Sequence, residues 1–407
     1  MLTPDYLENV ANDAVKLYAE LENTIIKDIA RRIVTSGVMT ETARHQIKVL
    51  QQSGELYDEI INEIASITKQ SNQVIRKIFE DASIQTLKYD DSVYKAAGLN
   101  PIPLAQSPNL LQTLTAGLNK TQKDINNLVK TTAGNAQSKF ISSVNMAYTQ
   151  LTSGAFDYNT AIFNAVELLC KDGIDIVYPS GKTDKIDVAV RRAVLTGVNQ
   201  TANKIQDMRA EEMNCDLFEV TAHVGARVTK KQDWTNHAWW QGKVYSMSGK
   251  SDKYPSLKEI TGYGKVDGLG GINCRHNKNP FFEGISKRNY TDEELEKIND
   301  KTVKYKGKEY GEYEALKTQR QMERNIREIK RELSAQEEIM LNGTNDNLVA
   351  QARAKFNKTS KELIKAEKEI KEFTKETGLP RDNARERVAG FDRGFRNRVS
   401  KASKGGD

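Results

Sequence analysis

The sequence predicts a mainly α-helical protein that carries one small α+β module, and three observations lead to this fold class. The composition is polar, with 38% hydrophobic, 29% charged and 7% aromatic residues among 407. Such a balance suits an extended, helix-rich chain with modest cores better than one compact enzyme domain. Long stretches without proline carry apolar residues at helical spacing. Alternation with a period of two, which indicates β-strands, is clear only between residues 172 and 282.

Bulk properties narrow the class of protein before any motif is considered. The net charge of +6 is compatible with nucleic acid nearby but does not demand it. Three scattered cysteines argue against a secreted disulfide framework. The opening "MLTPDYLENV" has neither a basic nor an apolar stretch, so we expect no signal peptide. No segment approaches the ~20 apolar residues of a membrane helix, so we expect no membrane partner.

Residues 1–100 are predicted to form an N-terminal region of several helices. Thr3 and Pro4 have the residue types of an N-cap and a first helical turn. Apolar side chains then recur at helical spacing from Tyr6 to Ile29 and from Ile60 to Ile67. The predicted interruptions are a helix stop at Ser36–Gly37, a restart capped by Thr40 or Thr42, and a break at Gln51–Glu55.

Residues 101–171 are predicted to be a helical middle region that begins with a linker. Three prolines stand close together in "NPIPLAQSPN", which is typical of a linker or a sharp corner. No proline follows between Leu110 and Cys170, and alanine, leucine and glutamine dominate there. We therefore expect more helix after the linker.

Residues 172–282 are predicted to form the small α+β module. Apolar residues alternate from Ile174 to Tyr178 ahead of a turn at Pro179–Gly181, which predicts a β-hairpin. A helix is expected from about residue 187 to residue 213. Another strand is predicted where two faces alternate, with Phe218, Val220, Ala222 and Val224 on one face and Glu219, Thr221 and His223 on the other.

Residues 283–380 are predicted to form an antiparallel helical hairpin. Apolar residues keep a 4-3-4 spacing from Met322 to Leu333 and again from Ala352 to Phe373, and "NGTND" separates the two runs as a turn. The hairpin can be interpreted as a docking arm for partner helices. Seams of this kind usually bury one helix against the other, and we favour that interpretation.

Residues 381–407 are predicted to be a basic tail that is flexible when free. The segment holds eight basic residues against four acidic ones and has few large apolar groups. The side chains predicted to contact nucleic acid are Arg393, Arg396, Arg398, Lys401 and Lys404.

Residues 223–276 concentrate the chemistry-bearing side chains, since they hold three of the four histidines and all three tryptophans. Zinc takes cysteine and histidine ligands in a tetrahedral arrangement. His237, Cys274 and His276 can supply three ligands, with His223 or Asp233 as the fourth. The spacing is not that of a zinc finger, so the motif alone is a weak signal for zinc.

Two other interpretations of this window remain open. A metal-independent nuclease or phosphotransfer site would use two histidines for acid–base work and arginines for charge stabilisation, drawn from His223, Arg227, His237, Arg275 and His276. No nucleophile stands beside a base in the sequence, however. A purely structural interpretation has a glycine-rich turn followed by a buried Cys274 and a hydrogen-bonded His276. If the latter two lie on a strand, their side chains point to the same face.

Several motifs occur in the order found in a known family. They are "HVGAR", "DWTNHAWWQGKVYS", "GLGGINCRHNKNPF", "RNYTDEELEKIN" and "YEALKTQRQMERNIREIKREL". Together with "LYAELENTIIKDIARRI" and "KYDDSVYKAAGLNP" near the start, they resemble the minor capsid proteins of tailed bacteriophages, a branch related to phage head-morphogenesis proteins. The resemblance covers nearly the whole chain, and its specificity comes from the shared order of the motifs.

The resemblance implies a low-copy structural protein of the virion, made in the host cytoplasm, associated with the portal vertex and incorporated during procapsid assembly. The implied partners are the portal protein and, as further candidates, the major capsid or scaffolding protein and packaged DNA. It implies no established enzymatic activity. The alternative from another class is a nuclease or toxin-like enzyme packaged in the head and delivered with the genome.

The resemblance also bears on the metal ligands. Related head-morphogenesis proteins commonly carry a Cys-x-x-Cys before a "DGKVY"-like turn and a His-x-x-Cys-Arg-Cys near the end of the module. In this sequence the first pair is reduced to Asn236 and His237 before "QGKVY", and Cys274 is retained in the second motif. His276 stands where a cysteine would be. Exchange of cysteine for histidine keeps zinc-ligand chemistry, whereas loss of one first-motif ligand leaves the fourth position open.

Overall fold

The computed structural model describes residues 1–36, 42–178 and 180–405 and is 67% helical, which confirms the predicted fold class. The α-helices are α1 (Pro4–Asn9), α2 (Asn12–Ser36), α3 (Thr42–Ala96), α4 (Pro108–Thr152), α5 (Tyr158–Asp172), α6 (Ile186–Glu212), α7 (His237–Trp240), α8 (Leu257–Thr261), α9 (Asp292–Asn299), α10 (Glu312–Asn342), α11 (Asp346–Thr377) and α12 (Arg393–Ser403). Among the described residues, no helix is long and apolar enough to cross a bilayer.

The strands are short and antiparallel. They are β1 (Asp175–Val177), β2 (Thr183–Lys185), β3 (Leu217–Val220), β4 (Val244–Ser246), β5 (Lys278–Pro280), β6 (Thr302–Tyr305) and β7 (Lys308–Gly311). β1 pairs with β2 and β6 with β7, while β3 lies between β4 and β5 in a three-stranded sheet. The register of that sheet places Phe218 opposite Tyr245 on one side and Pro280 on the other.

The chain divides into two compact units, each assembled from separate runs of sequence. The first unit comprises residues 1–14, 71–125 and 190–318, and the second unit comprises residues 15–70, 126–189 and 319–407. Each of the five regions predicted from the sequence is one continuous segment, whereas each of the two observed units combines three separate segments. In particular, the β1–β2 hairpin belongs to the second unit and the three-stranded sheet to the first.

In the first unit, α4 and α6 approach each other closely through small residues. A Cβ atom added at Gly117 would lie 2.0 Å from Oγ1 of Thr201, and one added at Gly197 would lie 2.1 Å from Oγ1 of Thr121. The two glycines thus each accommodate a threonine of the opposite helix. The three-stranded sheet contributes residues to two apolar clusters of this unit. One cluster includes Tyr94, Ala210 and Phe218. The buried members of the other are Val220, Trp240, Tyr245, Leu257, Leu269 and Cys274.

In the second unit, α10 and α11 form the predicted helical hairpin. α10 ends at Asn342 and α11 begins at Asp346, where the side chain of Asn345 caps the helix by accepting from the backbone N–H of Leu348. The hairpin core also contains residues of α12, and its buried members are Ile326, Ile329, Leu333, Phe356, Leu363, Ile370, Phe395, Val399 and Ala402. The structure therefore differs from the predicted flexible tail, because the apolar face of α12 is buried against the hairpin.

The other local predictions concern the cap of α1, the first β-hairpin, α6 and a break within α3. Thr3 caps α1 by accepting from the backbone N–H of Tyr6, as predicted, and the β1–β2 hairpin and α6 are present. The predicted break at Gln51–Glu55 is wrong, because α3 continues through it and Oγ of Ser53 donates to the carbonyl of Leu50. A single glycine in an otherwise good helix costs only ~1 kcal/mol, which packing overrides. Gly37, Thr40 and Pro179 lie outside the described residues.

The strand predicted from residue 218 to residue 224 is shorter than expected. β3 ends at Val220, and Glu219 on its polar face is buried. The carboxylate of Glu219 accepts hydrogen bonds from the backbone and side-chain N–H groups of Asn289. The β6–β7 hairpin, which turns at Lys306 and Gly307, was not predicted because its short strands are largely polar.

Candidate metal centre

Residues 262–277 form the loop that carries two of the predicted ligands. A Cβ atom at Gly268 would lie 2.2 Å from the carbonyl oxygen of Gly262, and one at Gly271 would lie 2.4 Å from that of Val266. No residue with a side chain fits at either point without moving backbone. The glycine-rich approach therefore lets the loop fold back closely on itself before Cys274.

Cys274 and His276 lie in an irregular segment just before β5, so the alternation of side chains on a strand does not apply to them. The segment is held instead by Asn199 of α6. The Nδ2 group of Asn199 donates to the carbonyl of Cys274 (2.9 Å) and to that of His276 (3.0 Å). One buried amide thus fixes the backbone on both sides of Arg275.

His237 reaches the same point from the other segment of the module. It is the first residue of α7, and its Nε2 lies 3.0 Å from the carbonyl oxygen of Asp267. Its Nδ1 lies 3.9 Å from Sγ of Cys274, and Nδ1 of His276 lies 3.6 Å from the same sulfur. One ligand atom from each of the three residues lies within 4.8 Å of the other two, so these side chains can hold a metal ion together.

Gln241 is the hydrogen-bond partner of the Nε2 atom of His276. Its Oε1 lies 2.9 Å from Nε2 of His276 and also accepts from the backbone N–H of His223 at 3.0 Å. Its Nε2 donates to Oδ1 of Asn299 at 2.7 Å. The whole amide is therefore oriented by its neighbours.

The two residues predicted as a fourth ligand do not join the other three. His223 stacks on the ring of His276 with centroids 4.4 Å apart, and its Nδ1 lies 2.9 Å from the carbonyl oxygen of Val224. Asp233 accepts hydrogen bonds from the backbone N–H and the hydroxyl of Thr235. In the described part of the chain, the structure brings together three of the five predicted ligands.

Trp240 closes the cluster on one side. Its ring centroid lies 4.6 Å from that of His237 and 4.8 Å from that of His276. Its indole N–H donates to the carbonyl of Trp234, and its side chain is fully buried. The tryptophan nearest the cluster is therefore a core residue of the module.

Burial governs the protonation of the cluster. It lowers the pKa of His237 to about 4 and that of His223 to about 3, and it lowers the pKa of His276 well below its usual range. Burial also raises the pKa of the Cys274 thiol. In the absence of an ion, neutral imidazoles surround a neutral thiol at ordinary pH.

The arrangement does not favour a nuclease. His237 and His276 are only 3% and 1% exposed, so neither presents a base to a substrate. The guanidinium of Arg275 pairs with the carboxylate of Glu8 at 2.9 Å. That of Arg227 donates to the carbonyl of Asp267 at 3.1 Å. Both predicted anion-binding arginines therefore already have partners within the first unit.

Sequence reasoning did not identify Asn199 and Gln241. Both are buried, and both act through hydrogen bonds to the cluster rather than as ligands. Their helical or helix-end positions give no spacing signal.

The five basic residues of the predicted nucleic-acid contact lie far along the chain on α12 or just after it. All five are exposed. Arg396 pairs with Glu367 at 3.0 Å, and Arg398 pairs with Glu337 at 2.6 Å. Two of the five charges are thus partly neutralised within the second unit.

Comparisons with known proteins give the context of this fold. The family described as Phage minor capsid protein 2 matches residues 2–373. A protein of Lactococcus phage LL-H named "Structural protein" is 27% identical over 353 residues, which cover 81% of this chain and 86% of the relative. No solved structure is significantly similar to the chain. Because the family match spans most of the sequence, the chain belongs to the phage minor capsid protein 2 family and is a structural protein of a phage virion.

Proposed function

We propose that the protein occupies the portal vertex of the phage head and is incorporated during procapsid assembly. The observation that carries this proposal is the minor capsid family match over residues 2–373. The resemblance in the order of the sequence motifs supports the portal as the first partner. The major capsid or scaffolding protein is the next candidate partner.

A contact with packaged DNA through α12 is part of the same proposal. Exposed arginine and lysine side chains bind phosphates without reading sequence, so their contribution weakens as salt increases. Arg393, Lys401 and Lys404 are exposed on this helix or just after it, beside the two arginines that pair with acidic residues. Burial of the opposite face of α12 in the hairpin core would present these charges on a fixed helix.

Purified procapsids test the location. Procapsids assembled with and without the portal protein would be compared by quantitative immunoblotting for the protein, with the major capsid protein as the internal standard. We expect a low copy number that depends on the portal. Incorporation at the same level without the portal would contradict the proposed position, and absence from both procapsids and virions would contradict the proposal as a whole.

A matched pair of variants tests the DNA contact. Replacement of Arg393, Lys401 and Lys404 by glutamine removes three phosphate-binding charges and should reduce the salt dependence of DNA binding. The control replaces three exposed lysines elsewhere in the second unit, Lys361, Lys365 and Lys368, which change the net charge equally. Equal loss of binding in both variants would indicate a general charge effect and would contradict a specific role of α12.

A further inference from the structure

We propose that His237, Cys274 and His276 bind one Zn²⁺ ion through Nδ1, Sγ and Nδ1 respectively. The ion would join the α7 segment to the loop before β5 inside the first unit. This inference concerns the stability of that unit and does not depend on where the protein sits in the phage head.

The distances suit such a site. With Zn–S of about 2.3 Å and Zn–N of about 2.0–2.1 Å, a tetrahedral centre separates sulfur and nitrogen ligands by roughly 3.6 Å. The structure has 3.6 Å from Sγ of Cys274 to Nδ1 of His276 and 3.9 Å to Nδ1 of His237. The two sulfur–nitrogen distances are thus close to those of a tetrahedral site, and all three ligand atoms lie within 4.8 Å of one another.

Hydrogen bonds fix both histidines in the tautomer that a metal requires. The partner of Nε2 in His237 is the carbonyl oxygen of Asp267, which only accepts, so Nε2 carries the proton. The partner of Nε2 in His276 is Oε1 of Gln241, whose identity as oxygen follows because it also accepts from the backbone N–H of His223. Both Nδ1 atoms therefore direct lone pairs toward Cys274, which is the outer-sphere arrangement usual for metal-bound histidine.

Without a metal, this arrangement leaves a buried acceptor unsatisfied. The thiol of Cys274 has one proton and two Nδ1 acceptors beside it, so one of them goes without a donor. An unsatisfied buried polar atom is unfavourable. A Zn²⁺ ion with a Cys274 thiolate would satisfy all three atoms at once.

The ligand types favour zinc over magnesium and calcium. A thiolate and two imidazoles suit zinc, whereas magnesium and calcium prefer oxygen ligands. His223 and Asp233 are engaged elsewhere, so the fourth position falls to a water molecule. Asn199 already holds the Cys274 and His276 carbonyls in place in the structure, so the backbone of the loop is positioned before an ion binds.

Elemental analysis of the full-length protein, purified without chelator, is the first experiment. We expect stoichiometric zinc in the wild-type protein and its loss in Cys274→Ser. Cys215→Ser is the matched control, because Cys215 is also a buried cysteine of the first unit but lies outside the cluster, and it should keep the metal. Equal zinc loss in both variants, or a folded wild-type protein without zinc, would contradict the site.

Cobalt replacement keeps the proposal testable if Cys274→Ser fails to fold. The wild-type protein, stripped by chelator and reloaded with Co²⁺, should show the visible bands of a tetrahedral site and a thiolate-to-cobalt charge-transfer band. His276→Gln should weaken both sets of bands, and Cys215→Ser should leave them unchanged. A spectrum without the charge-transfer band would exclude Cys274 as a ligand and overturn the proposal.

Discussion

Lys278 is a charged residue whose side chain is buried inside the first unit. Its side chain is fully buried, and its Nζ lies 2.9 Å from the carboxylate of Asp207 and 3.0 Å from Oδ1 of Asn203. It also donates to the hydroxyl of Tyr263 at 3.2 Å. A buried ammonium is tolerated only when it is fully paired in this way.

Replacement of Lys278 by methionine should therefore destabilise the protein strongly. The change removes the cationic partner of the partly buried Asp207 carboxylate, which keeps the hydrogen bond from the Tyr263 hydroxyl, and it takes a donor away from the carbonyl and Oδ1 of Asn203. This loss costs on the order of 3 kcal/mol. The control is Lys253→Met, which removes a lysine from an exposed ion pair with Glu283 and should have a much smaller effect on stability. Thermal melting followed by circular dichroism measures both. Similar midpoints for the two variants would show that the buried pair contributes little.

Asp90 predicts a pH dependence. Burial raises the pKa of its carboxyl from 3.8 to about 7, against the opposing hydrogen bond from Gln206. The folded state therefore keeps a proton that the unfolded state has lost, so this group's contribution is full below pH ~4 and is lost as the pH rises to about 7. Asp90→Asn should remove the penalty and stabilise the protein by up to about 4 kcal/mol near pH 8, with little effect near pH 4. Melting curves across this pH range check the sign, which an equal shift at both ends would contradict.

At this scale the sequence was informative about rare residues and uninformative about common ones. Cys274, His276 and His237 were identified because cysteine and histidine are scarce in the chain and have metal chemistry. Asn199 and Gln241 were not, because an amide acts through a neighbour that only the fold brings near. The sequence also could not show that His223 and Asp233, the two candidates for the fourth ligand, have other hydrogen-bond partners in the fold.

Among the helices, the contact between α4 and α6 depends on the absence of side chains at two points. Gly117→Ala should destabilise the protein by about 1–3 kcal/mol, because the added methyl group would overlap Thr201. Gly134→Ala in the same helix has open space at the Cβ position and should instead stabilise by about 0.5–1 kcal/mol. Chemical denaturation distinguishes the signs. Stabilisation by both substitutions would mean that the two helices are not held so close.

The helical hairpin depends on its shared core with α12. Phe356 is 4% exposed, and its ring centroid lies 6.0 Å from that of Phe395. Phe356→Ala should cost about 3–5 kcal/mol and should speed tryptic cleavage at Arg393 and Arg396 as α12 loses its support. Leu341→Ala, at a position that is 72% exposed, should change stability by less than about 0.5 kcal/mol. Unchanged cleavage in Phe356→Ala would show that α12 is held by other contacts.

The element boundaries that were predicted well are those set by local chemistry. The turn after Asn342 and the cap at Thr3 follow from residues adjacent in sequence. The continuity of α3 through Gly54 and the folding of α12 onto the hairpin depend on distant partners instead. Period-two alternation identified β3, but it gave no sign that Glu219 would be buried by Asn289.

On the scale of the whole molecule, the division into units could not be predicted from consecutive segments. The sheet at residues 217–280 shares its core with Tyr94, and the carboxylate of Asp90 accepts from Gln206 of α6. Both partners lie in the run of residues 71–125. Changes of composition along a chain mark linkers, but they carry no information about which distant runs pack together.

The region predicted as a module, residues 172–282, should therefore not fold in isolation. Expressed as a fragment, it would lack Tyr94 and the other partners from residues 71–125, and its own apolar surface would remain exposed. We expect poorly dispersed amide resonances and no cooperative melting, with or without added zinc. The full-length chain is the control. A well-dispersed spectrum from the fragment would show that this region contains a complete core.

Each unit is assembled from segments that are far apart in the sequence, and this has a consequence for biosynthesis. The ribosome must translate from residue 14 to beyond residue 190 before the last part of the first unit begins to emerge. At 5–20 residues per second this takes roughly 10–35 seconds. The second unit can be completed only later still, because its final segment begins at residue 319. The apolar faces of the early helices therefore stay without their late partners for most of translation, which makes the nascent chain a natural client for host chaperones.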